Sequence, residues 1–77
     1  MAIIGSTKMK ILKELEKNPI HGYALSKKLG ITISSVYEHL SELEGEGLVK
    51  CVIDGRRKVY SLTEKGRKLL EILRQEK

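Results

Sequence analysis

Tryptophan and phenylalanine are absent from this chain, and its three aromatic residues are all tyrosines. Unpaired bases are commonly held by stacking on aromatic rings, so recognition of single-stranded nucleic acid has little to work with here. There is one cysteine, Cys51, which excludes an internal disulfide. Cys51, His21 and His39 are the only soft ligands, and they lack the paired short spacings of zinc sites, so no structural metal is expected. No apolar run approaches the roughly 18 residues needed to cross a bilayer, and no apolar segment with a cleavage site opens the chain. A lone thiol without an export signal fits the reducing cytoplasm. No nucleophile–base pair, glycine-rich phosphate loop or metal-ligand cluster is visible, so neither an enzyme nor a cofactor is expected.

What is present is a short, basic, aliphatic chain. Seventy-seven residues suffice for one small domain, whose core supplies only about 3–5 kcal/mol of net stability, so self-association is the expected supplement. Fifteen Lys and Arg against ten Asp and Glu give a net charge of +5. That charge is unevenly spread. Residues 1–30 carry six basic and two acidic groups, residues 31–50 one and four, and residues 51–77 eight and four. An anion-binding face must therefore draw on the first and last stretches.

Punctuation divides the chain into elements. Ser6 or Thr7 can cap a first helix with Ile11, Leu12 and Leu15 at helical spacing, and Asn18-Pro19 ends it. Ile20-His21 reads as a short extended piece. A second helix over 22–29 stops at Gly30, the left-handed position glycine favours. A third, capped by Thr32 or Ser34, gathers Val36, Leu40, Leu43 and Gly47 within about 60° of one another, opposite Ser34, Glu38, Ser41 and Gly45. Gly47 closes it. The period then changes. Leu48–Ile53 and Lys58–Leu62 are rich in β-branched residues, and Asp54-Gly55 between them predicts a hairpin with a type I′ turn. Thr63-Glu64 starts a last helix whose Leu69, Leu70, Ile72 and Leu73 span roughly 160° of its circumference, too wide a stripe for one small neighbour. The order predicts an α+β, mostly helical fold: a winged helix-turn-helix with a three-helix core, a β-hairpin wing and a C-terminal helix. Residues 1–77 are read as one such domain, with the helix over about 64–77 serving dimerisation.

Three blocks of the sequence carry a family likeness. They are Pro19-x-His21-Gly22-Tyr23-x-Leu25, then Val36-Tyr37-x-x-Leu40-x-x-Leu43-Glu44-x-x-Gly47-Leu48-Val49, then Arg57-Lys58-Val59-Tyr60-x-Leu62-Thr63-x-x-Gly66. In this order they resemble the PadR-like winged-helix transcriptional regulators, over about residues 9 to 73. The resemblance implies a dimeric DNA-binding repressor whose third helix enters the major groove. The chain departs from the family pattern in the short stretch after Leu62, where the family commonly carries a long helical dimerisation region, and in its short hairpin turn.

The expected DNA-contacting residues follow from position. Thr32, Ser34 and Ser35, at the start of the third helix, offer short hydroxyls that suit base edges or phosphates and equally suit capping. Tyr37 flanks the buried stripe, where it is either partly core or within reach of a phosphate. Glu38 faces outward and can accept from a cytosine amino group, though a plainly solvated role fits it as well. Glu42, Glu44 and Glu46 crowd the C-terminal half, which should point away from DNA and towards basic groups elsewhere. Arg56, Arg57 and Lys58 form a cationic wing tip suited to phosphates or the minor groove, or else a solvated turn that protects the strand edge. Lys27 and Lys28 lie on the helix expected to cross the DNA backbone. Ile3, Ile4, Leu69, Leu70, Ile72 and Leu73 are the expected dimer surface. A two-fold dimer would place two reading helices about 34 Å apart on a palindromic site. The competing readings are a winged-helix module that binds protein instead of DNA, and an RNA-binding winged helix. Nothing in the sequence marks a small-molecule effector.

Overall fold

The computed structural model describes residues 6–75. The elements are α1 (Ser6–Lys17), β1 (Ile20–His21), α2 (Gly22–Leu29), α3 (Ile33–Gly45), β2 (Val49–Asp54), β3 (Arg57–Leu62) and α4 (Glu64–Gln75). The strands form an antiparallel sheet in the order β1-β3-β2, with Ile20 opposite Tyr60 and Val49 opposite Leu62. This is the winged helix-turn-helix that the punctuation predicts. Ser6 and Thr7 both lie inside the α1 span.

One continuous core holds the elements together. Ile11, Leu12 and Leu15 of α1 meet Leu25 of α2, Val36, Leu40 and Leu43 of α3, Leu48, Val49, Tyr60 and Leu62 around the sheet, and Leu70 of α4. The buried and exposed sides of α3 are those its periodicity dictates: Val36, Leu40 and Leu43 are buried, while Ser34, Glu38, Ser41 and Gly45 are exposed. Leu70 is fully buried, which removes it from the expected dimer surface. The four apolar residues of α4 are graded around the helix. Leu70 faces the core, Leu69 packs partly against it, and Ile72, on the far edge of the stripe, is 55% exposed. The wide stripe thus divides between the chain's own core and the solvent. Ile3 and Ile4 lie outside the described residues.

Both ends of α3 are fixed by specific bonds. At its start Thr32 is extended and its hydroxyl oxygen accepts from the Ser35 N–H at 3.2 Å, so Thr32 is the cap and Ser34 is within the helix. The preceding turn is fastened from the α2 side. Gly30 takes φ +68, and the Ser26 hydroxyl donates to the Ile31 carbonyl at 2.7 Å. At its end Gly47 takes φ +77, the Gly47 N–H donates to the Glu44 carbonyl at 3.0 Å and the Leu48 N–H to the Leu43 carbonyl at 3.0 Å. That pair of bonds is the Schellman motif, which terminates the helix and aims the chain into β2.

The wing turn differs from the expected one. Asp54 pairs with Arg57, so the two loop residues are Gly55 and Arg56 instead of Asp54-Gly55. Gly55 has φ +66 while Arg56 does not have a positive φ. Positive φ at the first central residue alone is the type II′ pattern, not the type I′ pattern. The register moves by one residue because Asp54 is used as the last strand position. Arg56 therefore occupies the tip itself, and Arg57 and Lys58 open β3. No helix among the described residues is long and apolar enough to cross a membrane.

Candidate nucleic-acid interface

The helix-turn-helix and the wing enclose a common cleft. An open depression of about 680 Å³ is lined by His21, Tyr23 and Ala24 at the start of α2, by Tyr37 of α3, and by Arg56, Arg57 and Lys58 of the wing. Three cations of the wing, Arg56 at its tip and Arg57 and Lys58 at the start of β3, thus share the cleft with two phenol rings and an imidazole. Alternation along β3 puts Lys58 on the same face as Tyr60, and Tyr60 packs edge-to-face on Tyr37 with ring centroids 6.2 Å apart at 61°. The Tyr37–Tyr60 contact joins α3 directly to the wing strand. Tyr37 is 38% exposed: one part of the ring packs on Tyr60 and another lines the cleft.

The start of α3 lies one turn before Tyr37. Thr32, Ser34 and Glu38 are exposed, and Ser35 is half-buried with its N–H used by the Thr32 cap. Ile33, the first residue of the helix, is 41% exposed. Its aliphatic side chain stands among the hydroxyls, a position that hydrophobic periodicity alone does not single out.

The two α2 lysines are not equivalent. The Lys27 ammonium lies 5.1 Å above the Tyr23 ring, which lines the cleft. The Lys28 ammonium is 3.5 Å from a Glu14 carboxylate oxygen on α1, which partly neutralises it and draws it off the cleft side. At the C-terminal end of α3 one acid, Glu42, and the backbone carbonyl of Glu46 are bonded to lysines that do not line the cleft. Glu42 pairs with Lys8 of α1 at 2.9 Å, and Lys65 of α4 donates to the Glu46 carbonyl at 2.9 Å. The hydrogen bond to Lys8 holds the Glu42 carboxyl below its usual range, and the same bond raises Lys8. α3 thus carries hydroxyls at its start and carboxylates towards its end.

Residues outside the expected DNA contacts also line the cleft. His21 sits at the junction of β1 and α2, as a structural histidine would, yet its side chain caps nothing and faces the cleft. Tyr23 and Ala24 follow it on α2. The signal that could have found them is the His21-Gly22-Tyr23 block, which lies next to α3 only once the fold is formed. Cys51, half-buried and packed against the core, stands opposite Tyr60 in the sheet. Burial, followed by the neighbouring Cys51, pushes the Tyr60 phenol up to about 12.

Solved structures of similar shape are regulators of transcription. The transcriptional regulator BldR from Sulfolobus solfataricus superposes with a TM-score of 0.85 at 28% identity, covering 92% of this chain and 56% of that one. A mutant of ZitR from Lactococcus lactis gives 0.86 at 26% identity, covering 95% and 52%. The homodimeric winged helix-turn-helix DNA-binding domain of Mb0332 from Mycobacterium bovis gives 0.87 at 20% identity, covering 94% and 68%, a likeness of fold alone. The chain spans about half the length of the first two structures. No curated protein matches it. The family described as "Transcriptional regulator PadR-like family" matches residues 11–72, which takes in the helix-turn-helix, the wing and most of α4. The chain accordingly belongs to the PadR-like family of transcriptional regulators, which are DNA-binding proteins and not enzymes.

Proposed function

We propose that this chain is a cytoplasmic transcriptional repressor that grips double-stranded DNA with the N-terminal half of α3 and the wing together, and binds a palindromic site as a homodimer. The observation that carries the reading is the single cleft shared by Tyr37 and the Arg56-Arg57-Lys58 tip. In this reading Ser34, Ser35 and Glu38 address base edges from the exposed side of α3, and Ile33 meets thymine methyl groups. Tyr37, Thr32 and Lys27 contact phosphates, and the arginines clamp the backbone or enter the adjacent minor groove. Lys28, paired with Glu14, contributes less. Glu42 is held against Lys8 of α1, which keeps its negative charge off the docking end.

Dimerisation is assigned to the outer side of α4, where Leu69, Ile72 and Leu73 carry the part of the stripe that Leu70 does not use. The structurally similar Mb0332 domain is a homodimer. A two-fold pair would set its reading helices about one DNA turn apart.

The test is selection of duplexes from a random pool, followed by binding measured at two salt concentrations and in competition with structured RNA. The reading expects a palindromic selected sequence, affinity that falls steeply with salt, and little competition by RNA. No retention of any duplex at low salt would favour a protein-binding winged helix, and preferential loss to RNA an RNA-binding one.

A further inference from the structure

Gly22 opens α2 and is buried, yet its backbone gives no reason for a glycine. Its φ is not among the positive values, which are confined to Gly30, Gly47 and Gly55. Alanine would suit a helix better there if only the backbone mattered. What the position lacks is space. A β-carbon on Gly22 would lie 2.7 Å from Tyr37 Cζ, 2.8 Å from Cε1 and 2.9 Å from the phenol oxygen. All three atoms belong to the far end of one side chain, and none to the backbone.

We infer that Gly22 is a positioning residue for DNA binding: it leaves the slot that seats the Tyr37 ring between the start of α2 and Tyr60 of β3. The slot fixes where the Tyr37 phenol stands relative to Arg56, Arg57 and Lys58, and through the Tyr37–Tyr60 contact it sets the wing against the reading helix. The inference rests on the proposed DNA interface, but its structural half stands apart from it. Because the colliding atoms end a rotatable side chain, Gly22→Ala displaces the ring towards the open cleft and leaves the backbone in place. A phenol moved off its phosphate forfeits about one net hydrogen bond, a loss of about fivefold in affinity.

The experiment uses four proteins: the natural chain, Gly22→Ala, Tyr37→Ala and the double variant. Two readouts are taken, the ring-proton NMR signals of Tyr60, which report the Tyr37 edge, and the affinity for a selected duplex. The expected result is that Gly22→Ala shifts the Tyr60 signals and weakens DNA binding about fivefold, while the double variant binds like Tyr37→Ala alone, since no ring remains for the new methyl group to strike. Unmoved Tyr60 signals in Gly22→Ala overturn the slot, whatever happens to DNA binding. Shifted signals with undiminished affinity overturn the positioning role. If an Arg56→Ala/Arg57→Ala/Lys58→Ala variant also keeps its affinity, the DNA interface itself fails as well. Should Gly22→Ala not fold, refolding in the Tyr37→Ala background supports the slot, and failure there too overturns it.

Discussion

Gly66 lies against the carbonyl oxygen of Leu48 so closely that a β-carbon built on it would overlap that oxygen, and would also come within 2.9 Å of Leu62 Cδ2. The glycine lets the first turn of α4 descend onto the segment that joins α3 to the sheet. Thr63 secures the same junction. Its hydroxyl donates to the Gly47 carbonyl at 2.6 Å, its oxygen accepts from the Gly66 N–H at 3.1 Å, and its N–H donates to the Leu48 carbonyl at 3.1 Å. Gly66→Ala gains helix propensity but collides with backbone, which cannot rotate away. It is expected to lower stability by about 1–3 kcal/mol, read as a reduced urea midpoint. An unchanged or raised midpoint would show that α4 can lift off Leu48 at no cost.

Arg57 and Ser35 separate affinity from specificity. Arg57→Ala should weaken binding to every duplex alike and lower the salt slope by about 0.9, the share of one phosphate contact. Ser35→Ala should leave the slope alone and change the preferred sequence. Binding isotherms on a selected duplex and on unrelated DNA, each at several salt concentrations, distinguish the two. A sequence-dependent loss for Arg57→Ala would place that side chain on bases instead of phosphates.

Tyr60 gives the protein an alkaline limit. Its phenol is raised from 10.0 to about 12, first by burial and then by Cys51. Above pH 10.0 the unfolded chain ionises this group while the folded chain holds it neutral. The stability tied to the neutral phenol is therefore complete below pH 10.0 and is lost as pH rises towards 12. Tyrosinate absorbance should show one ring titrating near 12, coincident with loss of helical circular dichroism. Tyr60→Phe should abolish that step in the absorbance and flatten the pH dependence over the same window. An identical alkaline profile in the phenylalanine variant would contradict this account.

Ile72 and Leu70 test the division of the α4 stripe. Ile72→Glu should reduce the mass seen by sedimentation equilibrium to that of one chain and leave the fold intact, because its site is 55% exposed. Leu70→Glu places a charge in the core and should unfold the chain. A natural chain that sediments as a monomer at micromolar concentration would contradict the dimer.

The sequence made some of this legible and hid the rest for physical reasons. Helix ends at Gly30 and Gly47 and the two faces of α3 are local or periodic, and each stands where the pattern puts it, while the cap of α3 falls on Thr32, one of its two candidates. The wing turn slipped by one residue because Asp54 is as acceptable at the end of a strand as in a turn, and only pairing with Arg57 decides between them. The burial of Leu70 depends on which edge of a wide stripe meets the core, and spacing alone does not choose an edge. Gly22 and Gly66 carry no positive φ, so their need for glycine lies wholly in neighbours 15 and 18 residues away in sequence, Tyr37 and Leu48. The cleft itself is a tertiary product. His21, Tyr37 and Arg56 belong to different blocks of sequence, and only the fold assembles them.

The claim that one surface, made of the start of α3 and the wing, holds DNA is tested most directly by an NMR titration of the labelled protein with a selected duplex. The account predicts that backbone amide shifts concentrate together at residues 32–38 and 56–58, with the α1-facing side around Glu42 and Lys8 unchanged. Shifts confined to one of the two segments, or centred on the outer side of α4, would contradict it.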